Sequence, residues 1–179
     1  MWPPLLEVDP GPLFPKLFQM IVEVPKGSTN KYEYDAELGV FRLDRVLYSP
    51  MHFPGDYGFV PGTIADDGEP LDVLCLTSYP SFTGCCLEVR PVGMLDMRDV
   101  AEVDHKILAV PSRDPRFGSV NQVDDLTSHV RREVEHFFTI YKELELAPMS
   151  TEGWRGMVEA HATLRRSREA FFARDPACG

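Results

Sequence analysis

The chain has 179 residues, 44% of them hydrophobic and 11% aromatic, which is enough apolar material for one compact core. Its formal net charge of −10 repels phosphate backbones over most of its surface, which argues against a general nucleic-acid binder. No run of about 18 apolar residues is present, so no membrane-spanning helix is expected.

The start, Met1-Trp2-Pro3-Pro4-Leu5-Leu6-Glu7, lacks both the basic residues and the apolar run of about 7 to 15 residues of a signal peptide. Cys75, Cys85, Cys86 and Cys178 show no CxxC spacing and read as reduced thiols. A cytoplasmic protein with a single domain over 1–179 is expected.

From Phe18 to Pro111 the pattern is one of short strands separated by Gly, Pro and Asp turns, with Val22, Val24, Tyr32, Tyr34, Phe41 and Leu43 supplying the apolar beat. Alternation in Lys31-Tyr32-Glu33-Tyr34-Asp35 predicts Lys31, Glu33 and Asp35 on one face and both tyrosines on the other. Leu71 to Leu76 is a buried strand candidate carrying Asp72. Val89 to Met97 and His105 to Val110 follow, joined by the stretch from Asp99 to Asp104. After Pro115 the period changes: Leu126, Val130, Val134, Phe137, Tyr141 and Leu144 recur at helical spacing. A second helix is expected to start at a Ser150 or Thr151 cap, with Trp154, Met157, Val158, Leu164 and Phe171 facing inward. Strands followed by two helices predict an α+β domain.

The chemistry lies in a run of carboxylates at strand ends: Asp66, Asp67, Glu69 and Asp72, then Asp99, Glu102 and Asp104. Clustered acids repel one another unless cations hold them, and oxygen donors without paired His or Cys favour hard ions such as magnesium over zinc. Any one of these acids taken singly reads more readily as part of a solvated turn. Single cations and phenols interleave with them: Lys31, Arg45, Tyr57, Lys106, Tyr141 and Lys142, the donors that bind phosphate oxygens. No P-loop, nucleophile elbow, zinc motif or calcium loop is present. Residue types and spacing alone therefore point to metal-dependent phosphate chemistry. Tyr141 lies in an apolar helical stripe, and packing alone explains it as well as function does.

Three ordered segments resemble the family I soluble inorganic pyrophosphatases: Val24-Pro25-Lys26-Gly27-Ser28-Thr29-Asn30-Lys31-Tyr32-Glu33-Tyr34-Asp35, Phe53-Pro54-Gly55-Asp56-Tyr57-Gly58-Phe59 and Asp67-Gly68-Glu69-Pro70-Leu71-Asp72. The resemblance runs from about Glu23 to Trp154 and takes in Arg90-Pro91-Val92-Gly93, Asp99 to Lys106, and Tyr141-Lys142. It implies a five-stranded OB-like barrel with two C-terminal helices packed outside, and magnesium-dependent hydrolysis of inorganic diphosphate to two orthophosphates. It also implies that Asp67, Asp72 and Asp104 hold the metals that activate water, with Asp99 sharing a further one. Glu33 would help hold the magnesium that travels with substrate, and Glu23 would support that side. Lys31, Arg45, Tyr141 and Lys142 would grip the phosphates, with Lys106 near the metals and Tyr57 near the nucleophile. Glu69 falls where the family has an Asp general base. Bacterial-sized members are commonly hexamers, so a homo-hexamer is expected.

Those seven carboxylates and four cations leave a formal charge of about −3, and diphosphate takes it to about −7, so about three or four divalent ions restore neutrality. Three departures from the family pattern stand out: Glu69 for Asp, Phe53 where many relatives have Tyr, and Ala147 to Thr151 without the lysines of bacterial relatives. The alternative is a catalytically weakened relative that binds metal and diphosphate. An oligonucleotide-binding OB module is disfavoured by the acidic charge.

Overall fold

The computed structural model describes residues 4–98, 103–146 and 149–174. Eight strands and two α-helices run in chain order: β1 (Phe18–Val24), β2 (Asn30–Asp35), β3 (Val40–Val46), β4 (Asp56–Phe59), β5 (Asp72–Cys75), β6 (Cys86–Arg98), β7 (Val103–Pro111), α1 (Ser128–Ile140), β8 (Ser150–Arg155) and α2 (Met157–Arg174). The main sheet has the order β1-β4-β5-β7-β6-β8, and β1 also pairs with β6. That extra pairing closes a ring of five strands, as expected of an OB-like barrel, so each strand of the ring has a partner on both sides. No helix is long and apolar enough to cross a membrane among the described residues.

The strands alternate between two apolar clusters, one on each face. Leu74 and Leu108 join the cluster that receives Val134, Phe137 and Phe138 from α1. Their neighbours Val73, Cys75, Ile107 and Ala109 join the cluster that receives Ala160 and Leu164 from α2. Both faces are therefore covered, and β5 reads as a continuous apolar run rather than an alternating one. Cys75, Cys85 and Cys86 are free thiols; Cys178 lies outside the described residues.

Two features of the C-terminal region differ from expectation. Ser150 to Arg155 is a strand, not the first turns of a helix. It pairs antiparallel with β6 through Met94↔Arg155 and Leu95↔Trp154. The 13-residue β6 carries backbone donors and acceptors that need partners, and β8 supplies them. The helix begins at Met157, so its inner face shifts to Ala160, Thr163, Leu164 and Ser167, and Val158 is 79% exposed. Likewise α1 ends at Ile140, with Tyr141 as its C-cap, and Leu144 falls in the exposed turn that follows.

The hairpin β2–β3 pairs only with itself, with Lys31 opposite Arg45 and Glu33 opposite Arg42. Strand β4 crosses β1 so closely that a Cβ on Gly58 would sit 1.9 Å from the Ile21 carbonyl oxygen. Glycine there lets β4 seat Tyr57 against the barrel.

Candidate active site

Register explains why distant residues meet. Strands β5 and β7 run parallel with Val73 beside Ile107, so the preceding residues, Asp72 and Lys106, lie side by side at the same end. On the other flank of β5, antiparallel pairing sets Tyr57 of β4 opposite Leu74 and Phe59 opposite Asp72. The Lys106 side chain is 5% exposed; its ammonium donates to Asp72, to Asp104 at 2.8 Å and to the Tyr57 hydroxyl at 3.3 Å. Burial by itself pulls Lys106 down, but Asp72, Tyr57 and Asp104 outweigh it and hold the ammonium well above its ordinary pKa. Burial, reinforced by Asp72, pushes the Tyr57 phenol well above its usual value, so it stays a neutral donor.

A cleft of about 470 Å³ opens over this group, lined by Glu23, Lys31, Glu33, Tyr57, Asp67, Glu69 and Asp72 among others. Lys31 contacts Glu33 and lies 3.3 Å from Asp44. Arg45 contacts Asp44 and donates to Glu145 at 2.9 Å. Lys142 is pulled below its ordinary pKa, first by burial and then by Lys106, Lys31 and Arg45. Lys106, Lys31 and Arg45 thus all lie near enough to act on Lys142, while each of those three is itself paired with a carboxylate.

Tyr141 is also buried, and burial is the main reason its phenol is pushed well up. Its ring stacks on Phe137 at 5.2 Å and meets Phe138 edge-on at 5.9 Å. Phe53 belongs to the same wall of rings, 4.8 Å from Phe137 and 5.4 Å from Tyr57. A phenylalanine at this position therefore packs beneath Tyr57 without leaving a buried hydroxyl in search of a partner. A larger groove of about 580 Å³ lies near Met51, His52, Leu126 and Val130, but it is mainly apolar and holds none of these carboxylates.

Glu23 accepts from the Tyr34 backbone N–H at 2.8 Å. Its carboxyl is pushed up to about 7, chiefly by burial, with the Tyr34 bond acting against the shift and Asp72 adding to it. Between its ordinary value of 4.5 and about 7, the folded metal-free protein keeps a proton that the unfolded chain has released. Stability from this group therefore falls as pH rises through that window, by roughly 3 kcal/mol in total. Urea unfolding in a chelator is expected to show the parent losing more stability than Glu23→Gln between pH 5 and pH 8. Equal losses would remove Glu23 as the cause.

Asp67 and Glu69 sit exposed on a loop over the cleft, where the Glu69 N–H donates to Asp67 at 3.0 Å. The cleft or its ion pairs thus bring together Glu23, Lys31, Glu33, Arg45, Tyr57, Asp67, Glu69, Asp72, Asp104 and Lys106. Tyr141 joins through Phe138, whose ring lies 5.9 Å from its own and 6.1 Å from that of Tyr57, and the Lys142 ammonium lies 5.4 Å from the Tyr141 ring. Asp99 lies outside the described residues. Sequence reasoning missed Asp44 and Glu145, the partners of Arg45. Asp44 directly precedes Arg45 in the sequence, whereas nothing local marks Glu145, a hundred residues away.

Among the described residues no three carboxylate, imidazole or thiol groups form a ready metal cage. Asp72 and Asp104 nevertheless converge on one cationic group, the Lys106 ammonium, and so lie close enough to share an ion. Asp67 and Glu33 line the adjoining cleft, so the acidic donors available there are oxygens, the kind that suit a hard divalent ion. One cleft beside the closed barrel thus gathers carboxylates and cations together.

The profile of the inorganic pyrophosphatase family matches residues 20–171. The inorganic pyrophosphatase of Halalkalibacterium halodurans is 52% identical over 131 residues, spanning 73% of this chain and 80% of that one. That of Geobacillus stearothermophilus is 46% identical over 141 residues, spanning 79% and 86%. The crystal structure of inorganic pyrophosphatase from Thermus thermophilus superposes with a TM-score of 0.92 at 40% identity, covering 94% of this chain and 99% of that one. The chain belongs to the inorganic pyrophosphatase family, whose members are metal-dependent hydrolases.

Proposed function

We propose that the chain, acting as one domain, hydrolyses inorganic diphosphate to two orthophosphates with magnesium as its metal. The observation that carries this reading is the convergence of Asp72 and Asp104 on one buried cation beside a cleft lined by Lys31, Asp67 and Glu69. Diphosphate hydrolysis requires a positioned nucleophile and neutralised phosphate charge rather than covalent help from the protein. Divalent ions held by Asp67, Asp72 and Asp104, with Asp99 contributing, would neutralise charge and acidify a water molecule. Lys106 holds Asp72 and Asp104 together, and Glu33 with Glu23 forms the substrate-side acidic rim. Lys31, Arg45, Tyr141 and Lys142 donate to the phosphate oxygens. Tyr57, kept neutral, donates towards the nucleophile, and Glu69 accepts or orients its proton.

Phosphate release from diphosphate tests this directly. Magnesium is expected to support turnover and calcium to support little, because calcium is larger, accepts looser coordination and leaves the water misplaced. Equal rates with the two ions would contradict the proposed geometry. No turnover with magnesium would favour a binding protein that has lost catalysis. Assembly as a homo-hexamer in the cytoplasm completes the proposal. Sedimentation at the mass of one 20.2 kDa chain would reject the hexamer without touching the chemistry.

A further inference from the structure

The loop between Val60 and Leu71 carries Asp67 and Glu69, and several of its hydrogen bonds close it on itself. The Val60 N–H donates to the Leu71 carbonyl at 2.9 Å, Leu71 N–H to Thr63 Oγ1 at 3.0 Å, and Ala65 N–H to the Glu69 carbonyl at 2.7 Å. The Val60–Leu71 bond continues the β4–β5 ladder and the others fix the loop's shape. Further contacts hold the base of the loop from the side away from β5. Ile64 N–H donates to the Ser167 carbonyl of α2 at 2.8 Å, and Gly62 N–H to the Leu6 carbonyl at 2.7 Å. The Arg168 guanidinium donates to the Gly62 carbonyl at 2.9 Å.

Arg168 is built into place. Its side chain is 19% exposed, lies 3.7 Å from Asp9, and sits over the Phe172 ring at 4.4 Å and the Phe171 ring at 5.8 Å. Gly62 has φ +65°, and a Cβ there would come within 1.8 Å of the guanidinium. The backbone is bare where the arginine seats. One side chain therefore joins the loop base, the N-terminal segment and the C-terminal helix. The neighbouring Arg166–Asp66 pair, 3.5 Å apart and more than half exposed on both sides, contributes little by comparison.

We infer that Arg168 is a positioning residue that aims the Asp67–Glu69 loop at the active site. Its effect on catalysis rests on the roles given above to Asp67 and Glu69; its effect on loop order does not. A loop displaced by about 1 Å at its base carries both carboxylates with it, and such misplacement can cost around 10²-fold in rate.

The test compares Arg168→Met, which keeps an apolar stem over Phe172 but removes the donors, with Arg168→Lys and the control Arg166→Ala. Amide hydrogen exchange in the metal-free protein is expected to speed up by at least roughly tenfold at Ile64, Ala65 and Gly68 in Arg168→Met, with β5 and β7 unchanged. The magnesium concentration for half-maximal phosphate release should rise and kcat fall, while KM for diphosphate at saturating magnesium stays near the parent's. Arg168→Lys should recover part of both effects, and Arg166→Ala should match the parent. Unchanged loop exchange in Arg168→Met would overturn the inference, as would faster exchange spread evenly over the strands. Faster loop exchange with unaltered catalysis would uphold the anchor and overturn the roles assigned to Asp67 and Glu69.

Discussion

Replacing Asp72 with asparagine is expected to lower diphosphate hydrolysis by at least about 10²-fold, the scale seen when one preorganised electrostatic group is removed. The volume and one carbonyl-type acceptor survive, so the barrel should still fold. What disappears is the negative charge that does most to hold Lys106 charged against its burial. Asp104 remains 2.8 Å from that ammonium, so the buried charge is not left alone, and the loss of thermal stability should be modest. The contrast between rate and stability is the informative part, because it separates an ion-holding carboxylate from a structural one. Steady-state rates and thermal unfolding of the same preparation check it. A variant keeping more than about a tenth of the parent rate would deprive Asp72 of a metal role.

Glu69 offers the second large effect, because here the chain departs from the family's aspartate. Its side chain lines the cleft from an exposed loop, with no hydrogen bond or ion pair of its own among the described residues. An acceptor on such a loop has room to absorb one extra methylene by changing rotamer. Glu69→Asp is therefore expected to be active and to equal or exceed the parent. Glu69→Gln keeps the length but loses the proton acceptor, so its rate should fall by roughly 10² to 10⁴, the range of general acid–base catalysis. Phosphate release across pH for the pair decides the matter. If Glu69→Gln runs at the parent rate, another group takes the proton.

The parts of the site legible in sequence are those whose chemistry is local. Asp67, Glu69 and Asp72 stand within six residues, and Lys31 and Glu33 share a strand face by simple alternation. Lys106 was legible as a cation near the acids, and its contact with Asp104 is the same-face relation of residues two apart on β7, but its contact with Asp72 follows from the parallel register of β5 and β7, which no local pattern encodes. Glu145 was missed for the same reason: its link to Arg45 is a consequence of chain closure. Ser150 and Thr151 make plausible helix caps, so the local sequence points to a helix start where β8 forms, and only the need of the long β6 for a partner on that flank decides otherwise. Tyr141 was ambiguous between packing and function, and the structure gives it both a stacked ring and a place in the field of Lys106.

The self-paired hairpin divides labour within the molecule. Lys31, Glu33 and Arg45 ride on strands that the five-membered ring does not need for its closure, whereas Asp72, Asp104 and Lys106 are cut into the ring itself. On the roles proposed above, substitutions in the hairpin would retune the grip on an anion with little risk to the barrel, while those at the ring would touch reactivity and architecture at once. Evolution of such a protein has two dials of unequal cost. Affinity can drift on an appendage while the reactive centre is tied to the survival of the fold.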